Sequence, residues 1–112
     1  MLSDVWGVIH NGVSAFPAAS DALTRFRDKG GAVSLISNAP RPGAQVIRML
    51  DRMGVPRTAY DAIVTSGDVT RAMVAKRPGE PFYLIGPERD HTIFTGLDAP
   101  FSAPERANYV IC

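Results

Sequence analysis

The sequence predicts an α/β fold with a parallel sheet flanked by helices, and three observations predict it. Short apolar runs alternate with longer stretches of helical periodicity along the whole chain. Gly and Pro punctuate the boundaries between them. A polar set, Asp4, then Ser37-Asn38, then Thr65-Ser66-Gly67, stands at the end of each of the first three apolar runs. Strand–helix alternation of this kind is the pattern of βαβ units.

Leu2–Ile9 reads as a short buried strand carried by Leu2, Val5, Trp6, Val8 and Ile9, followed by the turn His10-Asn11-Gly12. Pro17 opens a helix with Ala19, Ala22, Leu23 and Phe26 on its apolar face, and Gly30-Gly31 stops it. Ala32–Ile36 is too short for a helix and is bounded by turn residues, so it is a strand. The loop 38–43 follows, where Pro40 biases Ala39 away from helical geometry.

Val46, Ile47, Leu50 and Met53 recur at helical spacing, with Gly54 as the stop and Pro56 beyond it. Ala62-Ile63-Val64 is a third strand. Ser66 is placed to cap a helix running to about Lys76 and ended by Pro78. Phe82–Ile85 is a fourth strand, Glu88–Phe94 a short helix, Leu97–Pro104 a loop, and Asn108–Cys112 the start of a last strand.

Composition narrows the function classes. At 112 residues, 46% of them hydrophobic and 21% charged, the chain has the size and make-up of one small globular unit. A formal charge of +1 leaves no electrostatic footprint for nucleic acid or an anionic membrane. No apolar run approaches the ~20 residues of a membrane span. Cys112 is the single cysteine, which excludes an internal disulfide and a multi-thiolate metal site. A reducing, cytoplasmic setting is the default for such a chain, and the first residues show no secretory signal. Asp4 lies near the end of the first strand and the chain stops inside the run Tyr109–Cys112, so it reads as part of something longer.

In parallel sheets ligands bind beyond the carboxyl ends of the strands. That rule puts Asp4, Ser37-Asn38 and Thr65-Ser66-Gly67 along one edge. Each has a chemical and a structural reading. Asp4 is either a carboxylate for a metal or an electrophile, or a strand-end acid bonded to turn amides. Ser37-Asn38 either holds a phosphoryl oxygen or opens the loop as a Ser or Asx turn. Thr65-Ser66-Gly67 is either part of a ligand site or a helix N-cap. His10 and His91 have no partner at metal-ligand spacing and read as loop residues.

The stretch Leu2–Gly12, with Asp4-Val5-Trp6-Gly7-Val8, resembles the first motif of the haloacid dehalogenase superfamily, an apolar strand followed by Asp-x-Asp-Gly-Val/Thr. Ala32–Asn38 resembles its second motif, an apolar strand ending in Ser or Thr, here with the Asn common in subfamily IIA. Pro17–Leu23 and Val64–Asp68 also look like that subfamily, whose members include sugar-phosphate and nitrophenyl-phosphate phosphatases. The similarity runs through almost the whole chain. It implies a partial Rossmann-like sheet over residues 1–78, the N-terminal half of the core, and the beginning of an inserted α/β cap domain over 79–112.

The resemblance also implies roles. Asp4 is the nucleophile that takes the phosphoryl group as an aspartyl-phosphate, and it ligates Mg²⁺ together with the main-chain carbonyl of Trp6. Ser37 hydrogen-bonds a phosphoryl oxygen, with the Asn38 amide beside it. The substrate is a small phosphorylated metabolite. Two departures follow. The family's phosphatases carry a proton-donating Asp where this chain has Trp6, and an indole cannot donate that proton at neutral pH. The resemblance then implies better leaving groups or other chemistry, as in superfamily branches that lack the second Asp. The third motif's Lys and the fourth motif's acids are absent, and Lys76, before the cap, is a poor substitute, so these residues alone are expected to be inactive. A phosphate-binding module without turnover is the alternative. An incomplete sheet leaves an unpaired edge, which invites self-association into a homo-oligomer.

Overall fold

A computed structural model describes residues 1–112. Three strands form a parallel sheet in the order β1 (Leu2–Asp4), β2 (Ser34–Ser37), β3 (Ala62–Thr65). Leu2 pairs with Ser34 and Ser34 with Ala62, so Asp4, Ile36 and Val64 lie in one row across the sheet. Helix α1 (Pro17–Asp28) connects β1 to β2, and α2 (Gly43–Arg52) connects β2 to β3. Both crossovers advance the same way. Right-handed connections therefore put both helices on one face. The sheet's burial follows: Leu35 is fully buried toward the helices, while Leu2, Ile36 and Val64 of the opposite face are exposed.

The first core gathers Val5, Ile9, Leu23, Val33, Leu35, Val46, Leu50, Val55, Ala59 and Tyr60. It is tied at its lower end by Asp61, which accepts from the Arg27 Nε at 2.9 Å and the Val33 amide at 2.7 Å. The Arg27 guanidinium also donates to the Thr58 carbonyl at 2.6 Å. That guanidinium, then the Val33 amide, holds the Asp61 carboxyl below the usual carboxylate range.

Helix α3 (Ser66–Val74) leads into a second, smaller sheet of β4 (Phe82–Leu84) and β5 (Tyr109–Ile111), also parallel. Phe82 is fully buried there, with the rings of Phe94, Phe101 and Tyr109 at centroid distances of 4.8, 4.7 and 5.7 Å. Arg71 of α3 donates to the carbonyls of Ile93 and Thr95 at 2.6 and 2.8 Å. The molecule measures 52 × 28 × 19 Å, the long dimension of two small cores joined through α3.

Several elements differ from the sequence reading, each for a physical reason. The first strand ends at Asp4 rather than Ile9. Gly7 and Gly12 take φ of +76° and +93°, which turns the chain out of the sheet, and the Val5 carbonyl accepts from the Ile9 amide. Val5 and Ile9 are still buried. Their apolarity reported the core, not the ladder. In α1 the buried positions are Ser20 and Leu23, and Ala22 and Phe26 face outward. Pro17 at the first turn and Gly30 at φ +85° bound that helix as the pattern predicts.

The helix after β3 is capped by Thr65, not Ser66: the Thr65 hydroxyl accepts from the Asp68 amide at 3.0 Å. It ends at Val74, short of Lys76. Glu88–Phe94 is 3-10 rather than α-helical, and a further 3-10 turn at Arg57–Ala59 had no signal strong enough to read.

Candidate active site

The carboxyl ends of β1 and β2 open into a cavity of about 1000 Å³, lined by Asp4, Trp6, His10, Ser37, Asn38, Arg41 and Gln45 among others. Asp4 and Ile36 are cross-strand partners, so Ser37 stands one position beyond Asp4's neighbour on a strand about 4.8 Å away. The sequence reading named Asp4, Trp6, Ser37 and Asn38. The fold brings all four to this one cavity.

Asp4 is exposed, and its Oδ1 accepts from the Val5 amide at 2.7 Å. Its other carboxylate oxygen takes no hydrogen bond from the chain. The bond to a turn amide in the structural reading is present, and the second oxygen is left facing solvent. Ser37 is buried, and its Oγ accepts from the Ala39 amide at 3.2 Å. The bond shapes the loop and leaves the hydroxyl proton for another acceptor.

The backbone around the cavity carries unspent donors. The amide N–H groups of Trp6, Asn38 and Arg41 donate to nothing in the chain, and the Trp6 carbonyl accepts nothing. Backbone amides left open at a concave rim suit an anion. Arg41 and Gln45 add side-chain donors, and Arg41 has no carboxylate partner. The sequence reading missed Arg41. Its signal was a lone cation between two prolines just beyond Ser37-Asn38.

His10 is not an ordinary loop residue. It is buried, its Nδ1 accepts from the Gly12 amide at 2.8 Å, and its carbonyl accepts from the Gly7 amide at 2.8 Å. Burial lowers its pKa below the ordinary 6.5, so the ring is neutral near pH 7 with its proton on Nε2. His91 is exposed at the edge of the second core, its ring tilted against Phe101 at 4.7 Å between centroids.

Thr65-Ser66-Gly67 is a structural turn. Thr65 Oγ1 donates to the Arg41 carbonyl at 2.7 Å, and the Ser66 hydroxyl to the carbonyls of Asn38 and Ala39, each at 3.0 Å. A Cβ on Gly67 would stand 2.6 Å from the Arg41 nitrogen. The turn grips the loop that lines the cavity without lining the cavity itself.

A hard divalent cation such as Mg²⁺ takes oxygen ligands and keeps several waters. The free Asp4 oxygen and the uncommitted Trp6 carbonyl fit part of that demand. No group of three or more His, Cys, Asp or Glu side chains comes together anywhere in the chain.

A family model described as haloacid dehalogenase-like hydrolase matches residues 1–99. The chain belongs to that family. Among solved structures, a haloacid dehalogenase-like hydrolase from Brucella suis is 44% identical with a TM-score of 0.87, over 99% of this chain and 42% of that one. A p-nitrophenyl phosphatase from Archaeoglobus fulgidus shares the fold at 18% identity and a TM-score of 0.76, over 97% of this chain and 42% of that one. A glycerol phosphate phosphatase from Mycobacterium tuberculosis, in complex with calcium, is similar at 21% identity and a TM-score of 0.67, over 97% of this chain and 33% of that one. The same enzyme is also among the similar structures in complex with magnesium. The search of curated proteins finds no match. This haloacid dehalogenase-like chain thus spans less than half the length of these structures, and no helix in it is long and apolar enough to cross a membrane.

Proposed function

We propose that these residues form the nucleophile-bearing part of a Mg²⁺-dependent hydrolase that acts on a small phosphorylated metabolite through Asp4. One observation carries the reading. An exposed carboxylate, a buried hydroxyl, an unpaired arginine and three uncommitted amides share a single cavity at the sheet's carboxyl edge.

The solvent-facing oxygen of Asp4 attacks phosphorus and forms an aspartyl-phosphate, which water then opens. Splitting one displacement in two lowers the barrier of each step. Ser37 Oγ and the Asn38 amide donate to phosphoryl oxygens, and the Arg41 guanidinium faces their negative charge. Asp4 and the Trp6 carbonyl would hold Mg²⁺, which offsets the repulsion between a carboxylate and a phosphate dianion. The resemblance places a proton-donating Asp at position 6, and Trp6 in its stead leaves the leaving oxygen without that donor.

No lysine lines the cavity, so turnover by the 112 residues alone is expected to be negligible. Residues 1–78 are assigned to the core and 79–112 to the opening of a cap. The single exposed Cys112 fits a reducing, cytoplasmic setting.

The test is Asp4→Asn in the complete protein, assayed on phosphate monoesters with and without Mg²⁺. Loss of about 10³-fold or more in kcat, and dependence on the metal, is the expected result. Turnover equal to the parent removes Asp4 from the mechanism. Trp6 favours a second reading, a module that binds phosphate ligands without hydrolysing them. Saturable binding by calorimetry with no turnover of any ester would establish it.

A further inference from the structure

Thr65, Ser66 and Gly67 do not line the cavity, yet they hold three carbonyls of the loop that does. Thr65 Oγ1 donates to the Arg41 carbonyl at 2.7 Å, and the Gly67 amide to the Ala39 carbonyl at 3.2 Å. The Ser66 hydroxyl lies 3.0 Å from the carbonyls of both Asn38 and Ala39. A hydroxyl has one proton, so Ser66 shares it between them. The Ala39 carbonyl also has the Gly67 amide, whereas the Asn38 carbonyl has Ser66.

The three gripped carbonyls are not equivalent. Those of Ala39 and Arg41 belong to peptides that run into Pro40 and Pro42, which have no N–H. Of the three, only the Asn38 carbonyl shares its planar peptide with a donor, the Ala39 N–H, which points the opposite way. That N–H donates to Ser37 Oγ at 3.2 Å. Two hydrogen bonds joined by one peptide therefore run from Ser66 to Ser37, the buried hydroxyl of the cavity. Bonds linked in this way polarise one another.

We propose that Ser66 is a positioning residue for the phosphoryl site: through the Asn38–Ala39 peptide it sets the direction in which the Ser37 hydroxyl donates. The proposal rests on the phosphoryl-transfer reading above and adds the residue that aims its hydroxyl donor. The Ala39 N–H occupies one lone pair of Ser37 Oγ, so the Ser37 proton turns away from the loop and toward the cavity. Ser66 keeps that peptide from rotating. Without it the Ala39 N–H is no longer held on Oγ, and the Ser37 proton has to be ordered when an anion binds. A donor aimed in advance avoids that cost.

The test is a double-mutant cycle in the complete protein with Mg²⁺, reading the Kd of inorganic phosphate by calorimetry. Ser66→Ala keeps the Thr65 cap and the Gly67 bond, so the fold is retained, and the urea midpoint checks this. Ser66→Ala is expected to weaken phosphate binding about three- to tenfold. Ser66→Thr keeps the hydroxyl and should stay within about twofold of the parent. In a Ser37→Ala background, Ser66→Ala should cost less than about twofold, because the group it aims is gone. Equal losses in both backgrounds would show Ser66 acting on the fold at large and would overturn the relay. So would a Ser66→Ala loss within about twofold in the parent, or a Ser66→Thr loss as large as that of Ser66→Ala. If Ser37→Ala binds phosphate as the parent does, the hydroxyl's part in the phosphoryl-transfer reading falls, and the relay falls with it.

Discussion

Three polar turns stand at the same edge of the sheet, and the third has the opposite fate from the first two. After β3, the groups of Thr65, Ser66 and Gly67 are spent on the chain itself: hydroxyls on the carbonyls of Arg41, Asn38 and Ala39, and the Gly67 amide on the Ala39 carbonyl. After β1 and β2, an Asp4 oxygen, the Trp6 carbonyl and the amides of Trp6, Asn38 and Arg41 have no partner in the chain. Those four residues are exposed, so solvent rather than the chain meets their open groups. A turn whose groups are paired is scaffold, and a turn whose groups are left open at a cavity is a candidate site. The contrast also shows dependence, since the β3 turn fixes the loop whose amides remain open.

Gly67→Ala is the strongest way to break that dependence. The new Cβ meets the backbone of Arg41 at 2.6 Å, and backbone yields poorly. Overpacking of this kind costs about 1–3 kcal/mol, and alanine's better helix propensity returns at most about 1 kcal/mol. A lower urea midpoint by about 2 kcal/mol of stability is expected, with weaker phosphate binding as Arg41 is displaced. Unchanged stability would mean that the clamp is loose.

Thr65→Ala is milder. It removes the N-cap of α3 and the donor to the Arg41 carbonyl, a loss of about 1.5 kcal/mol by thermal unfolding. A second effect, on phosphate affinity, would sharpen the claim that this turn positions the open one.

The smallest effect concerns pH and the loop after β1. Burial lowers the His10 pKa in the folded protein below its ordinary 6.5. The unfolded chain therefore binds the proton more readily, so stability is full above pH 6.5 and declines as pH falls from there toward the folded value. His10→Asn keeps an acceptor for the Gly12 amide and removes the titration. Its stability should lose that slope between pH 6.5 and 5, measured by urea unfolding. A parent without the slope would contradict the neutral, buried ring.

Much of this architecture was legible in the residues. Gly30, Gly54 and the prolines at 17 and 56 bound the helices where the pattern put them, and three apolar runs became three parallel strands. Strand length was less legible, because Val5 and Ile9 are apolar for the core while Gly7 bends them out of the ladder. Of the residues lining the cavity, Asp4, Ser37 and Asn38 were readable as polar sets after apolar runs. Arg41 was not, since a lone cation in a proline-flanked loop reads as surface until the loop is folded back. Nor was His10, whose burial depends on the turn that Gly7 and Gly12 close.

The sequence by itself determined the alternation of strand and helix, the carboxylate and hydroxyl at neighbouring strand ends, and a single indole two residues after the carboxylate. Those are properties of residue type and spacing, which periodicity and covalent geometry fix locally. Only the tertiary structure decided which polar groups are spent and which stay open. Pairing across about 25 residues, as between Thr65 and the Arg41 carbonyl, depends on strand register and loop closure, and no local pattern encodes either.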